Sequence, residues 1–109
     1  MDDSKTTLDS LKGAVARFAD ERDWWRFHTP KNLAMSVAIE AAELMEEFQW
    51  LENGESAEVL EDQEKKQAVE EELADVLIYA LQLANVAKIE VGEAVRNKMV
   101  KNAEKYPAG

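Results

Sequence analysis

Breakers are almost absent from this chain. Two prolines, Pro30 and Pro107, and four glycines are all that interrupt 109 residues. Ala, Leu, Glu and Lys dominate the remainder, and their side chains lose little freedom in a helix, so the fold class is all-α. Leu8, Leu11, Val15 and Phe18 recur at helical spacing and predict a first helix from about Thr7 to Glu21. The stretch from Asp23 to His28 has no helical period and is rich in aromatics. Thr29 and Pro30 then read as N-cap and first residue of a second helix, running to about Asn53 and Gly54. Residues Glu55 to Glu64 form an acidic connection with some helical character. A third helix is expected over Gln63 to Ala87. After a tight turn at Lys88 and Ile89, a fourth covers Val91 to Lys105, stopped by Pro107 and Gly109. Four helices with short links imply an antiparallel four-helix bundle. The chain reads as one domain over 1–109, with 1–6 and 108–109 flexible.

The third helix bears on assembly. From Leu73 to Ala87 only Asp75, Gln82 and Asn85 are clearly polar, so this segment is apolar nearly all round. A helix on the outside of a monomeric bundle shows a polar face, and a core built from so short a chain is marginal alone. Burial against a second subunit follows, giving a dimer or a dimer of dimers.

Charge and rare residues exclude several functions. Asp and Glu number 23 against 13 Lys and Arg, a formal charge of −10. Nucleic acids and anionic membranes select basic surfaces, so neither is the expected partner. With no cysteine and one histidine, disulfide scaffolds, thiolate zinc sites and multi-histidine metal sites within one chain are ruled out. The polar, acidic N-terminus is no signal peptide, and the apolar run ending at Ala87 is too short to span a bilayer. The expectation is a soluble, cytoplasmic protein.

Within this acidic chain, certain carboxylates stand where a core stripe should be. Projected on a helix, Leu33, Val37, Leu44, Phe48 and Leu51 form one apolar stripe of the second helix. Glu40 falls inside it, with Glu43 and Glu47 on its edge. On the third helix, Val69, Leu73, Val76, Ala80 and Ala84 form the stripe, flanked by Glu72, Asp75 and Tyr79. Two helices thus each bring a pair of carboxylates, three residues apart, toward the bundle interior. Such a pair alone usually marks a solvated face; two on adjacent helices do not fit that account. Buried anions cost several kcal/mol each when unpaired, and the neighbouring stripes offer no matching Lys or Arg. Oxygen donors without His or Cys suit Mg²⁺, with Mn²⁺ as the alternative. Such sites commonly serve phosphate chemistry.

The pattern Glu40-x-x-Glu43, a spacer of 28 residues, then Glu72-x-x-Asp75 resembles the signature of the MazG-like all-α nucleoside triphosphate pyrophosphohydrolases. Asp23-Trp24, Phe27-His28, Asn32-Leu33, Phe48-Gln49-Trp50, Asp75-Val76-Leu77-Ile78-Tyr79, Lys98-Met99, Asn102 and Tyr106-Pro107 look like their dCTP pyrophosphatase branch. The resemblance spans roughly Leu8 to Pro107. It implies that Glu40, Glu43, Glu72 and Asp75 are magnesium ligands and that Glu46 is a further acidic residue of the catalytic set. It implies that Trp24 and Trp50 enclose the base, that Tyr79 lies beside the ligands, and that Lys98, Asn102 and Tyr106 approach the phosphates. His28 completes the substrate-facing set, although its place before the helix cap reads equally as structural. Trp25, where the branch carries a polar residue, and the acidic connection depart from the pattern.

The expected function is Mg²⁺-dependent hydrolysis of nucleoside triphosphates, preferably dCTP or its 5-modified forms, to monophosphate and pyrophosphate, by a homodimer or homotetramer. Two alternatives are a pyrophosphohydrolase of the same superfamily acting on dUTP or phosphoribosyl-ATP, and a non-catalytic helical interaction module.

Overall fold

The structure is a computed structural model describing residues 1–109. It contains five α-helices: α1 (Leu8–Glu21), α2 (Pro30–Glu46), α3 (Asn53–Glu58), α4 (Gln63–Ala87) and α5 (Val91–Lys105). A 3₁₀ turn, Val59–Glu61, links α3 to α4, and there is no strand.

Local chemistry sets most of the helix ends. The Thr7 and Thr29 hydroxyls accept from the Ser10 and Asn32 N–H groups at 3.1 and 3.2 Å, satisfying donors that α1 and α2 leave open. Pro30 follows as the first residue of α2, where its missing N–H costs nothing. Asp62 caps α4 by accepting from the Glu64 and Lys65 N–H groups.

Both α1 and α4 close through a left-handed residue, Asp23 (φ 55°) and Lys88 (φ 57°). After α1 the Trp24 N–H reaches back to the Ala19 carbonyl at 3.0 Å, and after α4 the Ile89 N–H reaches Ala84 at 2.8 Å. These are Schellman closures, which consume carbonyls that the last turn leaves unpaired. The first also folds the aromatic loop back over α1.

The second helix is shorter than its apolar pattern implied. It ends at Glu46, not near Gly54. Glu47, Phe48 and Leu51 instead donate to carbonyls three residues back, so the chain passes through tight turns into α3. Phe48 and Leu51 therefore do not extend the α2 stripe, and Trp50 is 87% exposed. The last turn of α2 carries no basic residue to oppose its dipole, while Glu43, Glu46 and Glu47 crowd that negative end.

Packing centres on α4. Its main partner is α2, α1 rests on it as well, and α5 makes no extensive contact with any other helix. The antiparallel four-helix bundle expected from the sequence is thus not completed within one chain. Leu33 is wholly buried, joined in the core by Ala19, Leu81 and Ala84, while Leu73 and Leu77 stay 47% and 51% exposed. The chain presents 8747 Å² to solvent, against about 6,100 Å² for a compact monomer of its mass. Its radius of gyration is 16.4 Å, against about 13 Å for a compact domain of this length. No helix is long and apolar enough to cross a membrane.

Candidate functional site

The α2–α4 contact brings the predicted carboxylates together. Glu40 and Glu43, one turn apart on α2, and Glu72 on α4 each offer an oxygen, all within 4.8 Å of one another. Glu40 and Glu72 are half-buried, and Glu43 is exposed. A hydrogen bond with Glu43, burial, and the charges of Glu43, Asp75 and Glu72 push Glu40 up to about 7. Burial, followed by the charges of Glu43 and Asp75, also raises Glu72. Asp75, one turn beyond Glu72, thus acts on both without belonging to the closest trio.

No basic side chain relieves this repulsion, since the one ion pair in the chain joins Arg22 to Glu21. Oε2 of Glu40 and Oε2 of Glu72 are buried with no hydrogen-bond partner. Orphaned buried oxygens are rare because they forfeit solvation without return. A set of carboxylate oxygens without nitrogen or sulfur donors fits a hard divalent cation such as Mg²⁺ or Mn²⁺.

Beside this cluster lies a cleft of about 430 Å³ between α1 and α4, in the size range of small-molecule sites. Phe18, Trp24, His28, Tyr79 and Gln82 line it, and Asp75 lines it too, so that residue joins cleft and cluster. The walls are made locally. Asp23 turns the chain so that Trp24 meets Phe18 edge-on at 5.7 Å. The Arg22 guanidinium covers Phe18 at 3.5 Å from the ring centroid. Asn32 donates to the Phe27 carbonyl at 3.0 Å, tying the loop to α2. The His28 ring stands 6.0 Å from Trp24 and 6.4 Å from Tyr79. Burial lowers the pKa of His28 below its ordinary value.

The other expected residues lie apart. Glu46 is the exposed last residue of α2, outside the trio. Trp50 does not line the cleft. Lys98 and Asn102 lie on α5 and Tyr106 at its end, and within one chain that helix makes no extensive contact with α2 or α4.

Comparison with known proteins shows the family. The MazG-like family profile matches residues 35–109. This chain belongs to the MazG-like family. The dCTP pyrophosphatase 1 of Homo sapiens is 41% identical over 102 residues, 94% of this chain, and that of Rattus norvegicus is 40% identical over 101. The chain spans about 60% of the length of these curated relatives. A crystal structure of a pyrophosphatase from Archaeoglobus fulgidus DSM 4304 superposes with a TM-score of 0.86 at 52% identity, over 93% of each chain.

In this MazG-like domain the helical projection set Glu47 on the edge of the α2 stripe without giving it a role; its charge contributes to raising Glu72. Gln82 and Asn85 stood out as polar residues on an apolar helix, but nothing in their spacing told what they bind.

Proposed function

We propose that this MazG-like domain hydrolyses nucleoside triphosphates between the α and β phosphates, releasing monophosphate and pyrophosphate. The observation that carries this reading is the pair of orphaned carboxylate oxygens, Glu40 Oε2 and Glu72 Oε2, in a cluster with no basic partner. Glu40, Glu43, Glu72 and Asp75 would hold divalent cations, with Mg²⁺ favoured. When bound, such ions supply charge for the phosphates and activate water. Of the protein groups, Glu43 is the exposed carboxylate of the trio, open to an arriving substrate, and Glu46 extends the acidic set toward solvent. Asp75 ties this centre to the cleft, so a nucleotide with its phosphates at the carboxylates sets its base among Phe18, Trp24, His28 and Tyr79.

A preference for dCTP or its 5-modified forms draws support from relatives named dCTP pyrophosphatase 1 at about 40% identity. Assembly as a homodimer or homotetramer draws support from the surface excess and from the exposed Leu73 and Leu77 of α4. In such an assembly Lys98, Asn102, Tyr106 and Trp50 would reach the site of a neighbouring copy. The domain would act in the cytoplasmic nucleotide pool. The test is turnover of common and 5-substituted dNTPs with and without Mg²⁺. We expect metal-dependent hydrolysis with the lowest KM among cytosine nucleotides. A panel with no metal-dependent turnover would contradict the reaction, and a lower KM for dUTP would contradict the substrate.

A further inference from the structure

Gln82 is 5% exposed, a buried amide on an apolar helix for which the acidic cluster has no use. Its hydrogen bonds run in one direction. The backbone carbonyl of Lys12, on α1, can only accept, so the Asn85 amide faces it with Nδ2 at 2.9 Å. The same Nδ2 donates to Gln82 Oε1 at 3.0 Å. That contact turns the Gln82 amide so that Nε2 faces His28 Nδ1 at 3.2 Å. An amide nitrogen only donates, so Nδ1 is the unprotonated acceptor, and the neutral ring carries its proton on Nε2. Nε2 has no protein partner and is not among the buried orphans, so it meets the solvent of the cleft. The other tautomer would set an N–H against the Gln82 NH₂. Turning Gln82 over to relieve that clash would set the same NH₂ against Asn85.

We propose that Gln82 and Asn85 are positioning residues that hold His28 as an Nε2–H donor, which reads an acceptor on the nucleotide base, a carbonyl oxygen or an unprotonated ring nitrogen. This inference rests on the reading of the cleft as the base site. Aromatic walls stack on any base and discriminate weakly. A fixed donor rejects bases that present hydrogen there, because both groups then lose a partner away from water.

The tautomer can be observed apart from activity, since His28 is the only histidine in the chain. In ¹⁵N-imidazole spectra of the metal-free protein, above the pKa of the ring, the wild type should show the Nε2–H tautomer alone. Gln82→Met keeps the length and removes both polar atoms, so it should show a mixture of tautomers. Asn85→Ala frees the Gln82 amide to turn over and should show a smaller admixture. With dCTP and Mg²⁺, Gln82→Met should raise KM about tenfold, with a smaller change in kcat, and narrow the spread of KM among bases. Should Gln82→Met fail to fold, as judged by circular dichroism, Asn85→Ala decides by the same two readouts. A wild-type ring protonated on Nδ1, or variant rings identical to wild type, overturns the relay. A shifted tautomer with the base preference unchanged overturns the role in reading. Were the wild type to turn over no nucleotide, the proposed function would fall, and the spectra would still judge the relay.

Discussion

Glu40 and Glu43 illustrate how a residue can be costly alone and useful with company. Each adds negative charge to a place where Glu72 and Asp75 already repel it, and no lysine or arginine answers. Removing one member should therefore spare the fold while ending the chemistry. Glu43→Ala and Asp75→Ala should each lower kcat by about 100-fold or more, the scale of losing one charge-stabilising group. Their metal-free melting temperatures should equal or exceed the wild type's. Near-normal turnover in both variants at saturating Mg²⁺ would refute the assignment. The raised pKa values add a test with a definite sign. Between 4.5, the ordinary value, and about 7, the folded protein holds a proton on Glu40 that the unfolded chain has released. Stability of the metal-free protein thus falls as pH rises through that window. Thermal melts in chelator should show Tm declining from about pH 5 to about pH 8, and Glu40→Gln should flatten the slope. Saturating Mg²⁺ should also remove it, because the cation takes the place of the protons. A chelated Tm that rises across the window would contradict the cluster's electrostatics. These carboxylates were legible in the sequence because charge inside an apolar stripe contradicts the stripe. The His28 relay was not, because it joins α1, α4 and the loop between α1 and α2 through contacts of 54 and 73 residues' separation.

At the scale of elements, ends decide more than middles. Lys88 adopts a left-handed conformation to let Ile89 reach back to Ala84, and a side chain there costs roughly 1–2 kcal/mol. Lys88→Gly should relieve that strain and stabilise the protein by about 1 kcal/mol, after the extra freedom glycine gives the unfolded chain. Denaturant melts read this directly, and an unchanged or lower midpoint would show that Lys88 makes a contact worth more than the strain. The ends of α4 and α5 were legible because the turn at Lys88 and Ile89 and the stop at Pro107 punctuate them, while the Asp62 cap that starts α4 was not singled out in the acidic connection before it. The end of α2 was not. No proline or glycine lies between Glu46 and Asn53, and the apolar period runs on through Phe48 and Leu51. What ends the helix there is a set of turns whose only trace in sequence is a crowd of glutamates at a negative helix end.

As a whole molecule the chain is open, with 8747 Å² of surface and an α5 that packs on little. The apolar circumference of α4 was legible in sequence, whereas the surfaces that would meet in the proposed assembly belong to two chains and leave no pattern in one. Sedimentation should find at least a dimer at micromolar concentration, and a fully active monomer would contradict the proposed assembly. If Trp50 serves a neighbour's site, mixed oligomers of Trp50→Ala and Glu43→Ala subunits should regain sites of wild-type KM. In such a mixture the intact cluster of one subunit meets the intact tryptophan of the other. No recovery on mixing would place Trp50 outside the site. The central claim is narrower than any of these: carboxylates on α2 and α4 direct water to the bond between the α and β phosphates. ³¹P NMR of dCTP incubated with the protein and Mg²⁺ tests it most directly. The account predicts dCMP and pyrophosphate in equal amounts, and orthophosphate with dCDP would contradict it.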